Sequence, residues 1–143
     1  MESIKYPPFA EITYHADLKA VHVKWLKLHM KLTEFEEIAN HAFGILKENG
    51  GYVWIADMYD SQGVFPKDIM SYISSDETTA ASMAMGLKWA LTIMPKAAGL
   101  SSLSTKSWNK DVKSKDAFVV EQFPSWYACT DWIKAQQSRL EGE

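Results

Sequence analysis

Five consecutive apolar residues, Tyr52-Val53-Trp54-Ile55-Ala56, are followed at once by Asp57. A run with no polar alternation wants burial on both faces, which describes a central strand. Beyond it, Asp57, Asp60, Ser61 and Gly63 make a polar loop that ends at Pro66. Proline suits the first turn of a helix, where its missing amide has no intrahelical partner anyway, and Asp68 complements the positive end of the helix dipole. In an open α/β sheet the loop beyond a strand's carboxyl end is where ligands and partners bind. Tyr52 to Pro66 is therefore the stretch around which the chain is organised.

The segments on either side supply the remaining layers. Pro7 and Pro8 cannot donate to a ladder, so residues 1–10 read as an extended lead-in. Glu11 to His15 and Ala20 to Leu28 alternate like strands, and the four residues between them are too few for a parallel crossover, so they form an antiparallel hairpin. Thr33-Glu34-Phe35-Glu36 has the form of a capping box. The helix it starts buries Phe35, Ile38, Ala42, Ile45 and Leu46 and ends at Asn49-Gly50-Gly51. From Pro66 to Met85 a helix breaks and restarts at Ser74-Ser75, closing at Gly86. Leu87 to Met94 is a further strand, Ser102 to Lys113 a weakly amphipathic helix, and Ala117 to Phe123 the last strand. Ser125 caps a final helix whose stripe holds Trp126, Cys129, Ile133 and Leu140, and residues 141–143 are expected to fray.

Helix and strand alternate after the opening hairpin, which predicts an α/β fold. Residues 1–143 are expected to form a single layered domain with about five strands in a mostly parallel sheet and four helices, one of them broken. Composition narrows the function classes. The net charge of −3 lacks the basic footprint of a protein that neutralises phosphates, so nucleic acid is not an expected partner. Cys129 is the single cysteine, so nothing here asks for an oxidising compartment. No run approaches the length of a transmembrane segment and the amino terminus lacks a signal-peptide stretch, so the expected location is cytoplasmic.

The order of elements resembles the SpoIIAA-like, or STAS-like, family of small bacterial proteins, whose fold is shared with Sec14-type lipid-binding domains. The resemblance runs from Glu11 to Leu140 and rests on the hairpin, the Thr33 to Asn49 helix, the Val53-Trp54-Ile55-Ala56-Asp57 strand, the Gly86 to Pro95 segment and the Ser125 to Ile133 helix. It implies a small non-enzymatic module that works by binding. In the anti-sigma-factor antagonists of that family a phosphorylatable hydroxyl opens the helix after the central strand. Here that place reads Val64-Phe65-Pro66-Lys67-Asp68, and Ser61 lies a few residues early.

Individual residues add candidates. Asp57 and Asp60 could act as an acid and base or hold a divalent cation, although aspartate in a turn more often bonds its own backbone. Ser61 is a candidate phosphoacceptor, weighed against a plain loop serine; the Gly-x-Ser-x-Gly elbow of a serine hydrolase is absent. His22 and His41 read as solvent-facing, and none of His15, His22, His29 and His41 has zinc-site spacing, so no metal is expected. Lys106, Lys110, Lys113 and Lys115 around Trp108 read as a solvated helix face. The abundant aromatic and methionine side chains are core for the most part, with Tyr59, Phe65, Met83, Met85, Trp126 and Tyr127 as candidates for an apolar pocket or partner surface.

The expectation is a cytosolic regulatory or protein-interaction module that is not an enzyme and needs no cofactor. Its candidate contact residues are Asp57, Tyr59, Asp60, Ser61, Phe65, Lys67, Met83, Trp126 and Tyr127. The alternative is a carrier or sensor of a small apolar ligand or lipid held between the broken helix and the sheet. An enzyme using Asp57 and Asp60 is a third reading. Exposed aromatics would favour a weak homodimer.

Overall fold

The structure, a computed structural model, describes residues 3–96, 100–113 and 118–142. In chain order the elements are β1 (Ser3–Tyr6), β2 (Ala10–His15), β3 (Ala20–Trp25), α1 (Leu32–Glu48), β4 (Val53–Asp57) and α2 (Lys67–Ile73). They continue with α3 (Asp76–Ala84), β5 (Trp89–Ile93), α4 (Leu100–Lys113), β6 (Val119–Phe123) and α5 (Trp126–Gly142). The strands form one six-stranded mixed sheet in the order β1-β2-β3-β4-β5-β6. Pairing is antiparallel from β1 to β3 and parallel from β3 to β6. The α/β class, the opening hairpin and the broken helix all follow the sequence expectation.

Three boundaries do not. The expected lead-in contains β1, because Ser3 to Tyr6 lie clear of the prolines and pair with Thr13 to Ala10. Pro7 and Pro8 occupy the turn, closed by Phe9 N–H donating to the Tyr6 carbonyl at 2.7 Å. The sheet thus has six strands instead of about five. Helix α1 starts ahead of the expected Thr33 because the Glu34 carboxylate accepts from the Lys31 backbone N–H at 2.9 Å, which moves the cap two residues back. At the other end of the chain α5 continues through Gly142, taking in most of the expected frayed tail, and Glu143 lies outside the described residues.

The alternation of side chains divides the core between the two faces of the sheet. Val21, Val23, Trp25, Ala56 and Met58 face α1 and α2 with Phe35, Ile38 and Ile69. Ala20, Val53, Ile55, Leu91 and Ile93 face the other way, against Cys129 and Ile133 of α5. Helices α1 to α4, which precede or connect the parallel strands, therefore lie on one face, while α5 alone returns across the back. Strand β4 sits between β3 and β5 and is buried from both sides, as its apolar run requires.

Candidate functional site

The face under α1 to α4 is not fully packed. Three of the four sheet positions at its centre carry small side chains: Ala56 stands beside Thr92, and Ala90 beside Trp54, in the β4 and β5 ladders. Over them the helical cover is interrupted where α2 ends and α3 begins. Ser75 makes the break, its hydroxyl oxygen accepting from Thr78 N–H at 3.1 Å and its backbone N–H donating to the Tyr72 carbonyl. Small residues below and a broken helix above leave a cavity of about 110 Å3. Trp54 and Ala90, on interior strands of the sheet, are only half-buried as a result.

Its walls are aromatic. Phe43 of α1 stacks on Trp54 with ring centres 4.5 Å apart, and Trp25, Phe35 and Phe65 pack edge and face around one another at 5.2 to 5.4 Å. Among the described residues, the polar groups that line it are neutral. Thr92 Oγ1 donates to Asn109 Oδ1 at 3.1 Å, and Asn109 Nδ2 donates to the Thr105 carbonyl at 2.9 Å. Thr79 and Ser82 form the buried side of α3, each hydroxyl donating back to a carbonyl four residues earlier. Helix α3 therefore turns its polar side inward and leaves Met83 52% exposed.

A second arrangement occupies the opposite face. His22 Nε2 donates to Asp57 Oδ2 at 2.9 Å, and His15 Nε2 lies 3.3 Å from His22 Nδ1. The Trp126 indole stacks against His22 and tilts over His15, with ring centres at 4.5 and 5.0 Å. A carboxylate holding one imidazole fixes its tautomer, so His22 Nδ1 is left to accept from His15. Burial and then the neighbouring His22 lower the pKa of His15, with Asp17 opposing them. Cys129 lies on this side too; burial first, and the Asp57 charge second, push its thiol up to about 12, so it is protonated and unreactive.

The residues expected to form one site are divided between these surroundings. Asp57 is buried, with Oδ1 accepting from Tyr59 N–H at 3.0 Å in the turn that follows and Oδ2 taken by His22. Asp60 pairs with Lys96 at 2.9 Å and Lys24 at 3.3 Å, and these lysines hold its carboxyl below the usual range. Phe65 is buried among Trp25 and Phe35, on the face opposite Trp126. Ser61 is half-buried in the loop, its backbone N–H donating to the Met58 carbonyl. Lys67 is exposed at the start of α2, Tyr59 is 43% exposed and Tyr127 is 77% exposed. Trp126 and Asp57 meet through His22; Phe65, Met83 and Tyr127 do not join them.

His22 is a correction to the expected solvent-facing position, since it lies half-buried against Asp57 and Trp126. His41 is exposed and hydrogen-bonds to the Tyr6 hydroxyl. Lys106, Lys110 and Lys113 are exposed on α4, whereas Lys115 and the side chain of Trp108 fall outside the described residues. Among the described residues no group of three or more histidine, cysteine, aspartate or glutamate side chains could hold a metal ion, and no helix is long and apolar enough to cross a membrane. Thr92, Asn109, Ala56 and Ala90 were not among the expected site residues. Their signal is visible only across strands, where Ala56, Ala90 and Thr92 occupy three of the four facing positions on this side of β4 and β5, the fourth being Trp54. Comparison with family models, curated proteins and solved structures finds no match for this chain.

Proposed function

We propose that the chain is a binding protein, not an enzyme, that carries or senses a small apolar ligand held between the broken helix and the sheet. The observation that supports this is the aromatic-walled cavity above Ala56, Ala90 and Thr92. Ligand sites are characteristically concave and apolar with a few placed polar groups, and Thr92 with Asn109 supply such groups here. Membership of the SpoIIAA-like family and a cytosolic setting belong to the same reading, which rests for them on the order of elements and on the composition. Native mass spectrometry after gentle purification tests it. Added mass that disappears on denaturation is expected; a clean apo mass, together with no uptake of any apolar compound, would end the proposal.

The loop after β4 supports a second reading, a partner-contact surface. Tyr59 is exposed with the Lys96 ammonium 5.8 Å from its ring centre, and Val64 is exposed nearby in sequence. This surface ranks below the cavity because Asp57, Asp60 and Phe65 are already engaged within the chain. Charge reversal at Asp60 should weaken capture of a partner; unchanged capture would remove this reading.

A further inference from the structure

The chemistry of the cavity narrows what it can hold, given the reading that it is a ligand site. We infer that its occupant is a neutral molecule of one aromatic ring bearing a single hydroxyl group, a phenol or a close equivalent. Size argues first. The cavity measures about 110 Å3. Pockets for drug-sized ligands span ~300–1,000 Å3, whereas an apolar cavity of ~150 Å3 takes up benzene. One ring fits this volume, whereas only part of a lipid acyl chain would.

Charge argues next. Among the described residues no lysine, arginine, aspartate, glutamate or histidine lines the cavity. An ionised carboxylate or amine entering it would lose its hydration without gaining a counter-charge, so charged ligands are excluded by their own desolvation. Shape argues for a flat molecule. Trp54 and Phe43 present stacked aromatic surfaces, and aromatic rings prefer such offset or edge-on neighbours.

The single hydroxyl follows from Thr92 and Asn109. The Thr92 hydroxyl donates to Asn109 Oδ1, which leaves the lone pairs of Thr92 Oγ1 able to accept. An asparagine amide carries two N–H donors, and the one bond of Asn109 Nδ2 to the Thr105 carbonyl uses one of them. Both side chains are nearly inaccessible to bulk solvent. A ligand hydroxyl, which donates once and accepts, matches this neighbouring acceptor and donor; benzene leaves both unmatched.

The test is a set of separate NMR titrations of the intact chain with phenol, benzene, benzoate and dodecanoate, following the indole N–H signals of Trp25 and Trp54. Phenol should shift the Trp54 signal and bind about tenfold more tightly than benzene, the value of one neutral hydrogen bond at its upper range. Benzoate and dodecanoate should leave it unmoved. Ala90→Leu, which fills the cavity, should abolish phenol binding, and the near-isosteric Thr92→Val should reduce the preference for phenol over benzene towards none. If dodecanoate binds at Trp54 and the rings do not, the ring-sized occupant is wrong while an apolar-ligand protein survives. Equal binding of benzene and phenol, or an unchanged preference in Thr92→Val, overturns the hydroxyl assignment. Silence at Trp54 with all four probes overturns this inference and the reading beneath it.

Discussion

Asp57 Oδ2 accepts a 2.9 Å hydrogen bond from His22 Nε2, so the aspartate that ends the central strand is tied to the strand beside it. Its other oxygen accepts from Tyr59 N–H. Asp57→Ala leaves both donors without that partner in a poorly hydrated place and should cost about 1–3 kcal/mol. Asp57→Asn keeps an acceptor and should cost less. Urea denaturation compares the two; equal midpoints for Ala, Asn and wild type would show that the bond to His22 contributes nothing.

Stability should fall on mild acidification through His15. Its folded pKa is lowered, mainly by burial and then by His22, with Asp17 opposing. Between that lowered value and the ordinary histidine value of about 6.5, the unfolded chain binds more protons than the folded one. The contribution is therefore fully present above about 6.5 and is lost as pH drops toward the folded value. Thermal melts at about pH 7.5 and about pH 5.5 should show a lower Tm in acid, and His15→Gln should flatten the difference. An identical pH slope in the variant would refute the assignment to His15.

Two glycines should respond in opposite directions to alanine. Gly44 lies in the middle of α1 with nothing within 4 Å of an added methyl, so Gly44→Ala should stabilise by about 0.5–1 kcal/mol through helix propensity. At Gly51 the methyl would lie 2.9 Å from the Lys19 carbonyl oxygen and 2.6 Å from Leu46 Cδ1. Leu46 can rotate but the backbone oxygen cannot, and Gly51→Ala should cost about 1–3 kcal/mol. Chemical denaturation of both variants checks the pair, and a neutral Gly51→Ala would mean that the hairpin turn yields easily.

Cys129 should resist thiol reagents in the folded chain. Its side chain is fully buried and its thiol is held protonated at neutral pH, with a pKa pushed up to about 12. Labelling by an aromatic disulfide reagent should be slow in native buffer and fast in urea. Rapid native labelling would show that α5 lifts from the sheet often enough to admit the reagent.

Particular residues show where sequence was sufficient. Tyr52 to Ala56 declared its double-sided burial because every residue is apolar, and Asn49-Gly50-Gly51 declared the end of α1, with Gly50 at a φ of 64°. His15 and His22 were recoverable in part. A four-residue turn sets Ala20 opposite His15, which places His22 diagonally on the same face. That Asp57 joins them depends on the β3–β4 register, which no local pattern encodes. The cavity was harder still. Ala56, Ala90 and Thr92 are unremarkable in their own strands and matter only once β4 and β5 lie side by side beneath the break at Ser75. Phe65 and Trp126 were grouped as candidates for one apolar pocket or partner surface, but the side-chain period of the strands and the return of α5 put them on opposite faces.

The order of the sheet bears on how the chain can assemble. Each strand lies beside the next strand in sequence, so every ladder closes with at most one helical crossover between its partners, and a growing chain can add strands one at a time from its amino end. Helix α5 is the exception. Gln137 donates to the Leu18 carbonyl at 2.8 Å, joining the last helix to the β2–β3 hairpin across almost the whole chain. Until that helix exists the back of the sheet, with Ile55, Leu91 and Ile93, stays open to water, so the carboxyl-terminal segment completes the domain and a chain interrupted before Trp126 would present a sticky face to its neighbours.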